Sequence, residues 1–321
     1  MKSLGKSTAP DAFAKGRKQS RPAALCSAFT EKTWKLTIEY DGTKYSGWQE
    51  QRNARTVQGQ LRKAAEEFFE GAMDIQGAGR TDAGVHARAQ VAHLRVRRGK
   101  AEDKRRWPTP DEILRAINSG LPSDVCLLDV VEATAGFHAR HDAVARTYIY
   151  QISTRRTAFF KKFVWWVKQP LDVAAMSSAA RELIGRHNFL AFRAEDKSRP
   201  DESPIVVVED AGIETEGDLI VFRITASHFV WRMVRRVVGA LVKLGLGEIT
   251  AGDFASLLEG KADSKLDVAA WTAPAAGLFL ERVIYPEPGG TILEAWSHPP
   301  GAAESRSAGR RRTTSGSARS S

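Results

Sequence analysis

From Trp34 onward the apolar residues fall on alternate positions, Trp34, Leu36, Ile38 and Tyr40, and the alternation stops at Asp41-Gly42. A period of two places successive side chains on opposite faces, so this segment predicts a half-buried strand ended by a turn. The period then changes. Thr56 stands as an N-cap ahead of a helix whose inner side is Val57, Leu61, Ala64, Ala65 and Phe68, ending near Gly71. Strands are predicted over 73–76 and about 90–96, the second with Ala92, Leu94 and Val96 on one face. Thr109-Pro110-Asp111-Glu112 supplies a cap, a first-turn proline and a capping-box glutamate ahead of Ile113, Leu114 and Ile117, and Gly120-Leu121-Pro122 ends that helix. The second half predicts strands near 125–134 and 145–153, a helix from Asp172 to Gly185, and strands near 204–215 and 219–226 joined by Glu216-Gly217-Asp218. A long helix from His228 to Leu244 would bury Phe229, Met233, Val237, Leu241 and Leu244 and turn Arg232, Arg235, Arg236 and Lys243 to its other sides. A short helix after Thr250 and a closing strand through Leu278, Leu280, Val283 and Tyr285 complete the pattern. Strands and helices intermingle without regular βαβ alternation, which predicts an α+β protein with two similar lobes of mainly antiparallel sheet flanked by helices.

Composition narrows the class. No uninterrupted apolar run reaches the roughly 18 to 20 residues that cross a bilayer, so no membrane is expected. Two cysteines, Cys26 and Cys126, lie far apart and form no CxxC pair, which argues against a disulfide scaffold, a cysteine-built zinc site and the zinc centre of base deaminases. A reducing, cytoplasmic compartment is the expectation. The formal charge of +10 is unevenly placed. Residues 1–33 are rich in Lys, Ser, Ala and Pro, and residues 287–321 run through PEPGG, HPPG and RRRTTSGSARSS; both read as basic, disordered tails. The N-terminal tail lacks the apolar centre of a secretory signal, although its composition also fits an organelle transit peptide. Over residues 34–304 acidic and basic residues balance, so a nucleic-acid reading must rest on local patches.

The chemistry concentrates at Gly77-Ala78-Gly79-Arg80-Thr81-Asp82-Ala83-Gly84-Val85-His86. A carboxylate sits between glycines on a tight turn, with an arginine two residues before it. Glycine allows close approach of a ligand, but an aspartate that merely caps the next segment satisfies the same spacing. A phosphate loop fits worse, because Val85-His86 stand where Lys-Ser/Thr should be, and GxGxxG fails at Asp82.

GRTDAGVHA closely resembles the catalytic loop of the TruA family of tRNA pseudouridine synthases. The same order of blocks continues through the chain: Glu39-Tyr40-Asp41-Gly42 to Gly47-Trp48-Gln49, Asn118 with Leu121-Pro122, Phe137-His138-Ala139-Arg140, Ala145 to Tyr150, Phe192-Arg193-Ala194, Met233-Val234-Arg235 through Gly239, and Gly277-Leu278-Phe279-Leu280. The resemblance covers about 34–286. It implies a pseudouridine synthase-like fold with a catalytic cleft between an N-terminal lobe, 34–136, and a C-terminal lobe, 137–286.

The resemblance also implies the reaction: uridine becomes pseudouridine in the anticodon arm of tRNA, at positions 38–40, with no cofactor and no metal. Asp82 matches the family's nucleophile, and a carboxylate nucleophile must be ionised, which a nearby cation favours. Arg235 on the long helix matches that cation, although its residue type alone suits a solvated helix face. Tyr148 matches an active-site tyrosine that stacks on uracil and helps the C5 proton leave; alone it reads as a core tyrosine. Arg80 matches a loop arginine that helps expose the target nucleotide, since removing a base from an RNA stem costs a few kcal/mol. Phe137, His138, Ala139, Arg140, His141, Lys197 and Arg199 fall in segments that touch tRNA in the family, where phosphate contacts give affinity and RNA shape gives selection. His141, Ala89 and Pro204-Ile205-Val206 depart from the family pattern. A homodimer with one tRNA across both subunits is implied as well. The competing readings are a metal-dependent hydrolase built on Asp82, His86, His93, His138, His141 and Asp142, and a tRNA-binding protein without catalysis. Against the first, His138 and His141 face opposite ways if their segment is extended; against the second, a binder has no need of Asp82, Tyr148 and Arg235 together.

Overall fold

A computed structural model describes residues 29–99, 105–195, 203–261 and 266–286. The first half contains β1 (Phe29–Tyr40), α1 (Val57–Phe68), β2 (Ala72–Gly77), β3 (His86–Gly99), α2 (Pro110–Gly120) and β4 (Val125–Glu132). The second contains β5 (Ala145–Ser153), β6 (Trp165–Trp166), α3 (Val173–Glu182), β7 (Gly185–Asn188), β8 (Ile205–Glu216), β9 (Leu219–Ala226), α4 (Met233–Gly245), α5 (Ala251–Leu258) and β10 (Leu278–Ile284).

The strands form one ten-stranded sheet in the order β4-β1-β3-β10-β5-β9-β8-β7, with β2 beside β3 and β6 beside β5. Every neighbouring pair along this order is antiparallel except β10 with β3. The fold is therefore α+β, as the irregular order of elements predicts. β10 comes last in the chain yet lies between the halves, pairing Phe279 with His86 and Leu280 with Ala87 in parallel on one side and β5 antiparallel on the other. That seam sits where the Gly77–His86 loop rejoins the sheet.

Local chemistry fixes the helix starts. Thr56 caps α1 by accepting from the Gly59 N–H, and Thr109 with Glu112 forms the expected capping box on α2 behind Pro110. Trp34, Leu36, Ile38, Leu94 and Val96 are fully buried in a core that continues without a break through Tyr150, Phe189, Phe222, Ile224 and α4. Among the described residues no helix is long and apolar enough to cross a membrane.

Four expectations are corrected. Residues 29–33, assigned to the N-terminal tail, belong to β1; 1–28 and 287–321 lie outside the described residues. Helix α1 ends at Phe68, so Phe69 takes the buried place beside Trp34, with ring centroids 5.6 Å apart, and Phe68 is exposed. Helix α3 stops at Glu182, and Gly185 opens β7, an edge strand on β8. The long helix begins at Met233 rather than His228, because Arg232 adopts a left-handed backbone conformation (φ 62°) that no α-helix continues through.

Candidate active site

The loop 77–86 is held from below by the block 40–49. The Tyr40 hydroxyl and the Thr81 hydroxyl share a buried hydrogen bond of 2.8 Å, the Trp48 N–H donates to the Thr81 carbonyl at 3.1 Å, and the Gly84 N–H donates to the Tyr45 carbonyl at 3.2 Å. Gly47 passes so close that a Cβ there would lie 2.7 Å from the Thr81 carbonyl oxygen, and its φ of +98° suits glycine alone. Two neighbours secure the other side: the buried Gln90 amide donates to the Gly79 carbonyl at 3.0 Å, and the Ala78 N–H to the Val91 carbonyl at 2.7 Å. These contacts anchor the loop from both sides as a platform.

Asp82 stands on this platform at the floor of a cleft of about 660 Å³. Both carboxylate oxygens have donors from the far wall. Arg235, in the first turn of α4, reaches Oδ2 at 3.3 Å, and the Trp231 indole N–H donates to Oδ1 at 3.0 Å. Arg235 is fixed in turn, its Nε–H donating to the Ala273 carbonyl at 2.7 Å. Tyr148 lines the same cleft from β5, its ring edge-on to Phe229 at 4.9 Å. Burial pushes the Tyr148 hydroxyl up to about 12; the Arg146 charge opposes this and the Asp82 charge adds to it.

Arg146 and Trp231 are residues whose parts the sequence did not disclose; of the two, Arg146 holds the site together. Arg146 appears in the run Ala145 to Tyr150 but carries no assigned role there. Its guanidinium donates to four carbonyls: Ala78 at 3.0 Å and Arg140 at 2.8 Å from one nitrogen, Ala143 and Ser227 at 3.1 Å each from another. It thereby ties the loop platform, the 137–144 segment and the approach to Trp231 into one unit. Burial works against its charge, and four carbonyl dipoles offset that cost. The one signal available was its place two residues before Tyr148, on the same face of β5.

The other predicted residues divide. Arg80 is exposed on the cleft wall, and Arg140 and His141 line it as well. Phe137, His138 and Ala139 are not brought into the cleft. The Phe137 ring packs on Tyr285 at 5.5 Å, and His138 lies between His93 at 4.7 Å and His141 at 4.2 Å. Ala139 is fully buried, its N–H donating to His93 Nδ1 at 3.1 Å and its carbonyl accepting from the Tyr285 hydroxyl at 2.6 Å, so it has no surface to offer RNA. The segment is a turn, not extended, and the rings of His138 and His141 approach instead of facing apart. Lys197 and Arg199 lie outside the described residues.

Two histidines of the hydrolase reading, His93 and His86, are used structurally. His93 accepts from Ala139 at Nδ1 and therefore donates from Nε2 to Asp74 Oδ2 at 3.3 Å, and burial holds it below the ordinary histidine range. His86 accepts from the Gly42 N–H at 3.0 Å, donates to the Lys162 carbonyl at 3.0 Å and stacks on Phe279. Among the described residues, no three His, Cys, Asp or Glu side chains are grouped so as to hold a metal ion.

Charge around the cleft is one-sided. Among the described residues its lining includes Arg80, Arg140, Arg146, Arg232 and Arg235, with Asp82 as the sole carboxylate. Such a surface suits a polyanion that presents one uncharged group to the aspartate.

Comparison with known proteins agrees with this geometry. Residues 36–142 and 179–286 match the family described as tRNA pseudouridine synthase. The chain is 39% identical over 258 residues to tRNA pseudouridine synthase A of Maricaulis maris, covering 79% of this chain and 98% of that protein. It is 37% identical over 250 residues to the protein of the same name from Halalkalibacterium halodurans, covering 77% and 90%. The corresponding protein of Brucella ovis is 38% identical over 260 residues, covering 79% and 98%. Matches of this extent, through both halves of the sheet and across the Asp82 loop, establish that the chain belongs to the tRNA pseudouridine synthase family.

Proposed function

We propose that this chain isomerises uridine to pseudouridine in the anticodon arm of tRNA, at positions 38–40, with Asp82 as nucleophile and without metal or cofactor. The observation that carries the reading is Asp82 itself: a carboxylate with a donor on each oxygen, in a cleft whose lining includes five arginines and Tyr148. In the reaction a carboxylate oxygen bonds to the sugar C1′ or to the base C6, the C1′–N1 bond breaks, the base turns, C5 bonds to C1′, the bond to the carboxylate oxygen breaks to free Asp82, and C5 loses its proton while N1 gains one. Arg235 keeps the carboxylate directed into the cleft and balances its charge. The Tyr148 ring supplies a face for the uracil, and its hydroxyl, protonated at neutral pH, serves the C5 proton as a relay. Arg80 occupies the place of the flipped nucleotide, and Arg140 and His141 meet the RNA backbone. The lobes 34–136 and 137–286 grip the arm between them. Two copies share one tRNA, and the enzyme works in the cytoplasm.

The test is conversion of uridine in an anticodon stem-loop transcript, followed by mass spectrometry after a base-specific tag, with EDTA present. Wild type should form product and Asp82→Ala none. Product from Asp82→Ala would remove Asp82 as nucleophile, and RNA binding without product in wild type would favour a binding protein.

A further inference from the structure

The geometry points to Trp231 as a positioning residue for the nucleophile: its indole N–H fixes Asp82 Oδ1 while Arg235 fixes Oδ2, so the carboxylate is held ready before RNA arrives. The inference rests on Asp82 being the nucleophile and adds a second group that aims it.

Three observations converge on Trp231. The first is the contact itself, 3.0 Å from Nε1 to Oδ1, closer than the 3.3 Å from Arg235 to Oδ2. An indole N–H donates and cannot accept, so the contact favours a carboxylate in one orientation over any rotamer turned away. The second is the backbone that delivers it. Arg232, the next residue, is the only non-glycine residue with positive φ among the described residues. Left-handed backbone is costly for an arginine and persists where the surroundings over-determine it. Here it turns the chain sharply from the 228–231 approach into α4, so that Trp231 and Arg235 both address Asp82 although only one of them lies in the helix. The third is the bracing of that turn. The Trp231 carbonyl accepts from the Ala194 N–H at 2.9 Å, the Arg236 guanidinium donates to the Arg193 carbonyl, and the Arg232 guanidinium lies 4.9 Å from the centre of the Trp231 ring. Phe192-Arg193-Ala194, a sequence block with no chemistry of its own, gains a purpose as the brace that keeps the indole over the aspartate.

The indole is not simply core. Trp231 is 38% exposed and lines the cleft, whereas Trp34 and Trp48 are almost wholly buried. A tryptophan kept partly in solvent with its one polar atom on the nucleophile is placed for that contact.

The experiment compares Trp231→Phe, which keeps an aromatic ring and removes the donor, with Trp231→Gln, which removes the ring and keeps an N–H at similar reach. Turnover on the anticodon stem-loop and RNA affinity by filter binding are measured for both, with thermal melts to show that each is folded. Removal of a hydrogen bond to a charged group predicts that kcat of Trp231→Phe falls about 10- to 100-fold, with RNA affinity within about twofold of wild type, and that Trp231→Gln recovers most of the loss. Wild-type turnover in Trp231→Phe overturns the inference. So does the opposite pattern, weaker RNA binding in both variants with kcat unchanged, which would make Trp231 a base-stacking contact. Product from wild type and its absence in Asp82→Ala, run alongside, show that the reaction itself stands whichever way Trp231 falls.

Discussion

Tyr148 illustrates how a single residue's surroundings decide its chemistry. It is buried, and its hydroxyl is pushed up to about 12, chiefly by burial. A phenol in that state is a neutral donor at pH 7, and in the proposed reaction it accepts the C5 proton only while passing its own onward. The alkaline limb set by Tyr148 therefore lies near pH 12, above the range in which turnover is ordinarily followed. Tyr148→Phe should lower kcat by about 10²- to 10⁴-fold, the usual worth of a positioned proton carrier, and leave the shape of the pH–rate profile between pH 7 and about 10 unchanged. A profile whose alkaline limb shifts within that range would show Tyr148 acting as a standing base. The sign for stability follows from the same shift. The folded-state value exceeds the ordinary tyrosine value of 10, so the contribution is intact below pH 10 and is lost as pH rises toward 12. The other four tyrosines, Tyr40, Tyr45, Tyr150 and Tyr285, are raised as well, each first by burial, so an ultraviolet titration should show no tyrosinate at pH 10 in the folded protein. At this scale the sequence was eloquent about Asp82, whose glycine-flanked motif is local. It was silent about Arg146 and Trp231, because four carbonyls from separate segments and an indole aimed across a cleft are products of tertiary structure.

The element that matters most is α4, since it carries Arg235 and begins immediately after the Trp231-Arg232 turn. Its seat is the segment before β10. The Ala273 N–H donates to the Arg235 carbonyl at 3.0 Å, and a Cβ on Gly239 would lie 1.8 Å from the Trp271 carbonyl oxygen. Glycine is required there for close approach, not for an unusual backbone angle. Gly239→Ala must push the helix off its seat, with an overpacking cost of roughly 1 to 3 kcal/mol. For a chain of this size that corresponds to a fall in Tm of roughly 2 to 10 °C, and kcat should fall with it because Arg235 retreats from Asp82. A thermal melt and a turnover assay decide the matter; an unchanged Tm would show that the seat yields freely. The boundaries of α4 also show where pattern reading stops. Apolar residues at Phe229 and Met233 continue the helical spacing backward, and no capping side chain marks the start, so periodicity runs on to His228. The break is made by Arg232's backbone, which no side-chain pattern encodes. By contrast α1, α2 and α5 begin at Thr56, Thr109 and Thr250, each accepting a backbone N–H, and there the local signal and the folded helix agree.

On the scale of the whole molecule, two features are invisible to any local reading. One is the seam: β10 is apolar and short, and nothing in residues 278–284 says that it will lie parallel to β3, at the foot of the Asp82 loop, and close the two halves into one sheet. The other is the placing of charge. Over 34–304 acidic and basic residues balance, yet among the described residues the cleft lining gathers five arginines around one aspartate. The formal +10 lies in residues 1–33 and 305–321, among them Arg306, Arg310, Arg311 and Arg312, with no acid in 305–321. Charge placed outside a catalytic cleft adds affinity by releasing counterions from phosphates and leaves the chemical step alone. Replacing those four arginines by Ser should weaken binding to full-length tRNA at low salt and flatten the plot of log affinity against log salt by about 0.7 to 0.9 for each phosphate no longer neutralised. Turnover at saturating RNA should not change. Affinity measured by filter binding from low to moderate salt separates the outcomes: an unchanged slope would mean that the basic C-terminal segment does not meet the RNA and that the cleft arginines account for the attraction.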